Sequence, residues 1–508
     1  MAPTSQTPPL ASILVARFLR TNNYSETLNA FIREAGLPAD AGQVTDKEEN
    51  NWTIESVLEE KKAFDQTQHF ERYGQSEKDE WSIPAPSNPK IIETPTSSNI
   101  LACSVDPWRH PEADQANQDT SSRLIATGAD KQLHLFKTEP DNAILSSLPG
   151  LSESPILSYV SIQNGEYVCL TNMSGQLLLQ RDAEILDKRK DHAKYAVKVV
   201  AFEGTDSPQR PIWVATAGWD SKIHLYRLRL PDGEGTEADL DSVAIGEPIA
   251  SITLASNPES LLFVQHPDTK ELLLLVSRRD STHLYYYQVQ QHQEPPSTPY
   301  ECPLLGKQNL APHSNAWIAF SPSCLALSPH DPGLLAVATS TLPHMKVIIV
   351  RLLFPSTDSL DVGEPETQAT QALAALSLQN REDAAIVIQA NTFAPQTAYS
   401  TPQVVWRPDG SGVWVNGDDG VIRGVEGRTG KVVTVLKEGH VAGSKIRTIW
   451  AGWVDVGRDG EVVREEWLSH ENVNEFMEYR ELIAILVYGC SPPSMHPLAT
   501  EQKVEGVW

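Results

Sequence analysis

A near-repeat constrains this chain more than any other feature. The segment ATGADKQLHLF (Ala126 to Phe136) matches ATAGWDSKIHLY (Ala215 to Tyr226): a small-residue strand, a glycine, a turn aspartate, then a strand alternating apolar and polar residues. CLTNMSGQLLL (Cys169 to Leu179) repeats the pattern with Ser174 at the aspartate position. Asp130, Ser174 and Asp220 lie 44 and 46 residues apart by their numbers. Looser copies follow around Asp280, His344 and Asp419, at intervals of 60 to 75 residues that inserted loops such as Pro365 to Asn391 would explain. A seventh unit would begin near Ile446. Such periods suit four-stranded blades, which cannot bury both faces alone and so stack around an axis. The expected fold is mainly β, a seven-bladed propeller over 100–468. Asp130, Asp220 and Asp419 are expected in equivalent turns, each accepting backbone N–H groups.

The residues ahead of the propeller carry a helical period. Leu10, Ile13, Leu14 and Phe18 form one stripe; Tyr24, Thr27, Leu28, Phe31, Ile32 and Ala35 form a second after the turn at Asn22-Asn23. Gly36 and Pro38 mark a helix stop. The organisation predicted is a helical hairpin over 1–40, a helical extension over 41–75 with a third helix from about Asn51, and a Pro-rich linker over 76–99. An atypical tail covers 469–508, part of which (Glu471 to Leu486) reads as helical. Two helices this short cannot hide apolar stripes on several faces, which points to self-association. Ile13, Leu14, Phe18, Leu19, Tyr24, Leu28 and Phe31 are the expected dimer core.

Closure of the ring is a separate expectation. Ile91 and Ile92 form a short strand candidate between Pro89 and Pro95, expected to pair beside strands from Ile446 to Val463 and leave the tail after Leu468 without a role.

These modules resemble known families. The propeller units resemble WD repeats, with Phe136 and Tyr226 where the closing tryptophan would stand. The hairpin resembles the LisH dimerisation motif: Ile13, Leu14, Phe18 and Leu19 match its first helix, and Tyr24, Thr27, Phe31 and Glu34 its second. Their combination resembles the lissencephaly-type dynein regulators and the transducin-β-like co-repressors. The resemblance implies a homodimer through the LisH hairpin and other proteins bound at the propeller's faces and loops.

Composition narrows the classes of function. Lys plus Arg (41) against Asp plus Glu (66) leaves a net charge of −25. That opposes phosphate-rich partners and anionic lipid, so neither a nucleic acid nor a membrane is expected. The longest apolar run, near Leu482 to Tyr488, is far short of the ~20 residues of a spanning helix, and the N-terminus does not read as a signal peptide. Five scattered cysteines fit a reducing compartment, cytoplasmic or nuclear. No catalytic motif is present, and no cofactor or metal is expected. The acidic loop PDGEGTEADLDS reads as a solvated loop, Asp459-Gly460 as a hairpin turn, and His134 and His224, which recur at one repeat position, as scaffold. The expectation is a non-enzymatic dimeric scaffold. The alternative is a substrate-receptor subunit of a ubiquitin ligase or a chromatin co-repressor subunit.

Overall fold

A computed structural model of the chain describes residues 10–43, 53–55, 81, 83–96, 98–109, 122–139, 141–204, 212–230, 243–289, 299–313, 320–355, 368–437, 439–440, 443–458, 461–471 and 476–482. The chain divides into two compact units, Met1–Ser76 and Glu77–Trp508.

In the first unit, α1 (Leu10–Thr21) and α2 (Ser25–Glu34) form the hairpin. α1 ends where Asn23 adopts φ 59, so that Tyr24 N–H reaches Leu19 O at 2.9 Å and Asn23 N–H reaches Arg20 O at 3.2 Å. This is a Schellman stop, which requires a left-handed residue that asparagine tolerates. Gly36 (φ +62) repeats the device after α2, with Leu37 N–H on Ile32 O at 2.9 Å. The chain then returns along α1. Arg20 donates to Ala39 O and Ala41 O, both at 3.1 Å, and buried Gly42 lies so close to α1 that a Cβ would stand 2.4 Å from Arg17 N. Of the third helix expected from about Asn51, only 53–55 fall within the described residues.

The second unit begins with β1 (Asn88–Ile92), followed by six sheets built in chain order. They are β2 (Ile100–Pro107), β3 (Ser122–Gly128), β4 (Leu133–Phe136) and β5 (Ile144–Leu148); then β6 (Ile156–Ile162), β7 (Tyr167–Asn172), β8 (Gln176–Arg181) and β9 (Glu184–Lys190). The third holds β10 (Ala196–Phe202), β11 (Ile212–Gly218), β12 (Lys222–Leu228) and β13 (Ala250–Thr253), and the fourth β14 (Pro258–Gln265), β15 (Leu272–Arg278), β16 (His283–Gln288) and β18 (Leu304–Asn309). Strand β17 (Tyr300–Glu301) leaves the fourth to add a parallel edge to β13 in the third. The fifth is β19 (Pro322–Leu327), β20 (Leu334–Thr339), β21 (His344–Arg351) and β22 (Ile386–Pro395); the sixth is β23 (Val404–Trp406), β24 (Gly412–Val415), β25 (Ile422–Glu426) and β26 (Val432–Leu436). The last sheet joins β27 (Thr448–Arg458), β28 (Glu461–Glu471) and β29 (Phe476–Leu482) to β1, in the order β1-β29-β28-β27. The first strands abut in succession, β2 on β6, β10, β14, β19, β23 and β27, and β27 returns to β2. Each neighbouring pair of sheets shares an apolar core, for example Leu135 and Leu170 between the first two.

Four expectations are corrected. Seven WD-repeat blades were expected; the repeat construction yields six blades, each of four antiparallel strands in chain order (β17 intervening in the fourth) with a short turn between its second and third. The sheet that closes the ring is no repeat copy: it joins the two ends of the unit, and β27 and β28 run to eleven residues each. The strand at 88–92 pairs with β29 rather than with β27 or β28 (Lys90 opposite Glu478). The tail after Leu468 therefore supplies a central strand, and 476–482 is extended rather than helical. Finally, the expected loop 365–391 contains helix α3 (Gln368–Ala385) and the start of β22. The Asp459-Gly460 turn lies outside the described residues, flanked by the pair Arg458 and Glu461.

Candidate functional site

In the first, third and sixth blades the turns between second and third strands are built alike. Asp130 accepts from Gln132 N–H at 3.1 Å, Asp220 from Lys222 N–H at 3.3 Å and Asp419 from Val421 N–H at 3.3 Å. The residue after each aspartate is left-handed: Lys131 (φ 68), Ser221 (φ 61) and Gly420 (φ 77). The glycine two places before each is required by contact. A Cβ at Gly128 would stand 2.3 Å from Asp130 Oδ1, and one at Gly218 2.5 Å from Asp220 Oδ1. The small-Gly-x-Asp pattern is thus a steric record of a carboxylate folded back over its own strand.

Beyond that shared turn, each aspartate has its own partners. Asp130 meets His134 Nε2 at 3.1 Å, and that ring's Nδ1 meets Ser147 Oγ at 2.8 Å. Asp419 pairs with Arg423, at 2.6 Å to Nη2. Asp220 takes Ala193 N–H at 2.9 Å and His192 Nδ1 at 3.0 Å, while His192 Nε2 bonds Thr216 Oγ1 at 2.9 Å. Burial raises the Asp220 carboxyl, but the Ala193 N–H and His192 hold it below its ordinary value. His224 packs at a tilt against His192, with ring centroids 4.7 Å apart, and burial together with the neighbouring imidazole pushes it down to about 4. In the second blade the acceptor is Asn172, whose Oδ1 takes Ser174 N–H at 3.0 Å and Gln176 N–H at 3.1 Å. Sequence reasoning placed the turn on Ser174 and missed Asn172; an Asx residue four before the strand was the available signal.

These turns share one face with the loops that enter the blades. The turn N–H donates to the residue ahead of the first strand: Ala129 to Asn99 O (2.7 Å), Met173 to Pro155 O (3.0 Å), Trp219 to Tyr195 O (2.9 Å) and Arg279 to Asn257 O (2.8 Å). An exposed aromatic pair stands on it beside the third blade. Tyr195 is 41% exposed and Trp219 43%, with ring centroids 5.2 Å apart.

Arg407 forms a separate buried network that no motif announced. It donates Nε to Glu466 Oε1 at 3.0 Å and Nη2 to Oε2, with further bonds to Ile83 O (3.1 Å) and Pro84 O (3.2 Å). Its guanidinium lies 4.2 Å from the Trp81 ring centroid. Trp81, Ile83 and Pro84 are thereby fastened to the sixth blade and the closing sheet.

In the hairpin, Ile13, Leu14, Phe18, Leu19 and Phe31 are half-buried and Tyr24 is 54% exposed, its ring 6.5 Å from that of Phe18. Leu28 differs: it is 6% exposed and already buried within the single chain. Among the described residues no group of three or more His, Cys, Asp or Glu is placed to hold a metal. Among them, too, no helix is long and apolar enough to cross a membrane. The acidic loop 231–242 lies outside the described residues.

The LisH domain of UCP007778 matches residues 11–41, and the propeller domain of UCP007778 matches residues 115–449. The propeller match spans the six repeat blades from β3 onward and stops at the second residue of β27, so nearly all of the closing sheet lies beyond it. The chain is 22% identical over 456 residues to "Uncharacterized protein YGR117C" of Saccharomyces cerevisiae, covering 83% of this chain and 88% of that relative. With more than half of its length matched by the family's propeller domain and its hairpin by the family's LisH domain, the chain belongs to the UCP007778 family.

Proposed function

We propose that this protein is a non-enzymatic scaffold that pairs through its LisH hairpin and offers the propeller to other proteins. One observation carries the reading: the hairpin leaves Ile13, Leu14, Phe18, Leu19 and Phe31 only partly buried and Tyr24 54% exposed. Ordering such small helices without burying those faces is unfavourable, and a second copy supplies the missing apolar surface. Pairing two propellers raises the effective concentration of each for a bivalent target. The yeast relative's name assigns no activity, so the reading rests on the architecture and the exposed stripe.

Light scattering on the full chain tests it. The expected mass is twice the 56.0 kDa of one chain. A single-chain mass at micromolar concentration overturns the reading.

A further inference from the structure

The face of the second and third blades carries a patch whose chemistry runs against that of the whole chain. We propose that Tyr195 and Trp219, with Lys190, Lys194 and Lys222 around them, form a docking site for a short acidic peptide bearing an apolar side chain. The inference deepens the scaffold reading and rests on it.

The residues are contiguous. Lys190 ends β9 opposite Gln176. The neighbouring Gly175 abuts the carbonyls of His192 and Lys194, at 2.3 and 2.4 Å from where its Cβ would be. Tyr195 follows Lys194 and is tied to Trp219 by a backbone hydrogen bond and by ring contact. Lys222 opens β12 three residues on, close enough to act electrostatically on His192 and His224.

Charge separates this patch from ordinary surface. All three lysines are exposed, and none has a carboxylate partner among the described residues. The nearby carboxylates are already engaged: Asp220 by His192 and Ala193 N–H, Asp191 by Arg189 and Tyr226. Arg189 and the three lysines still outnumber the ionised Asp191, Asp220 and Glu247 by one, a locally positive balance on a chain of net charge −25. The aromatic pair is set from below, because Trp219 stands inside the Gly218-to-Asp220 turn that His192 locks. A rigid exposed aromatic loses little freedom on binding, which favours it as an anchor.

The occupant follows from these features. Lysines reach out as point charges toward carboxylates, and the contacting ring pair offers its exposed surface to an apolar side chain. Stacking rings with lysines could also hold a single-stranded nucleic acid. The net charge weighs against a polyanion far more than against a peptide with a few carboxylates.

The test uses the full chain and a fluorescein-labelled heptapeptide, Glu-Asp-Phe-Glu-Asp-Leu-Glu, followed by anisotropy. Its counterpart with lysine at every acidic position and an oligonucleotide of twenty thymidines serve as competitors. Saturable, salt-weakened binding is expected, reduced about tenfold or more by Trp219→Ala and by Lys194→Glu with Lys222→Glu, with melting temperatures of the variants close to that of the parent. Absence of binding, equal binding by the variants, or tighter binding of the oligonucleotide overturns the proposal. Light scattering on the same samples separates the two readings, since peptide binding by a single-chain species would defeat dimerisation and leave the patch standing.

Discussion

Arg407 and Glu466 face each other with no exposed surface on either side chain, joined by two hydrogen bonds between the sixth blade and the closing sheet. Two charges withdrawn from water tolerate each other only when paired and fully bonded. Arg407 meets this by also taking Ile83 O, Pro84 O and the Trp81 ring. Removing one partner strands the other. Arg407→Ala or Glu466→Ala is expected to destabilise the propeller by about 3–5 kcal/mol, read from urea unfolding. A loss under 1 kcal/mol would show that water reaches the pair.

The closing sheet yields a prediction opposite to the one the repeat pattern suggested. Deleting 469–508 removes β29 and exposes β28 and β1, each with an unpaired edge and with no partner left for β1. The melting temperature should fall by at least about 5 °C, since a single lost kcal/mol already shifts it by roughly 2–4 °C in a domain of 150–250 residues. An unchanged melting curve would mean that 88–92 and 476–482 do not pair.

The turn aspartates are testable one by one. Asp220→Ala leaves Ala193 N–H and Lys222 N–H without their acceptor and frees His192, at an expected cost of about 1–3 kcal/mol. Gly218→Ala should cost more than its added methyl suggests, because the new Cβ would lie 2.3 Å from His192 Nδ1. Thermal unfolding of both variants decides; a neutral Gly218→Ala would contradict the packing described.

His224 sets a pH dependence. Its folded value, pushed down to about 4 by burial and by the neighbouring His192 and Lys222 against the opposing pull of Asp191 and Asp220, lies below the 6.5 of an unfolded histidine. The unfolded chain therefore binds the extra proton first. The contribution is complete above pH 6.5 and is lost as pH falls toward 4, amounting to at most about 3 kcal/mol. His224→Phe should flatten the stability profile across that window, measured by denaturant midpoints at successive pH values; an unchanged slope would place the titration elsewhere.

For the hairpin, Phe18→Asp and Phe31→Asp should each convert the proposed dimer to a monomer, since an unpaired carboxylate is costly in a desolvated interface. Leu28→Ala should act differently. That side chain is buried in its own hairpin, so the loss appears first as reduced helicity by circular dichroism and only secondarily in mass. Dissociation with helicity intact would place Leu28 in the interface instead.

What the sequence alone determined is local. The 3.6-residue stripes of α1 and α2, the left-handed stops at Asn23 and Gly36, and the Gly-x-Asp turns of the blades follow from periodicity and backbone stereochemistry within about a dozen residues. They were legible for that reason. Only the tertiary structure decided the pairing of β1 with β29, whose residues Lys90 and Glu478 are brought together by ring closure. It likewise decided the seat of β17 on β13, the use of Asn172 as a turn acceptor, the burial of Leu28 and the meeting of Arg407 with Glu466. Each depends on which distant segment arrives beside it. A strand edge or a buried charge records in its own residues the need for a partner, while the partner's address is set by how the sheets close into a ring.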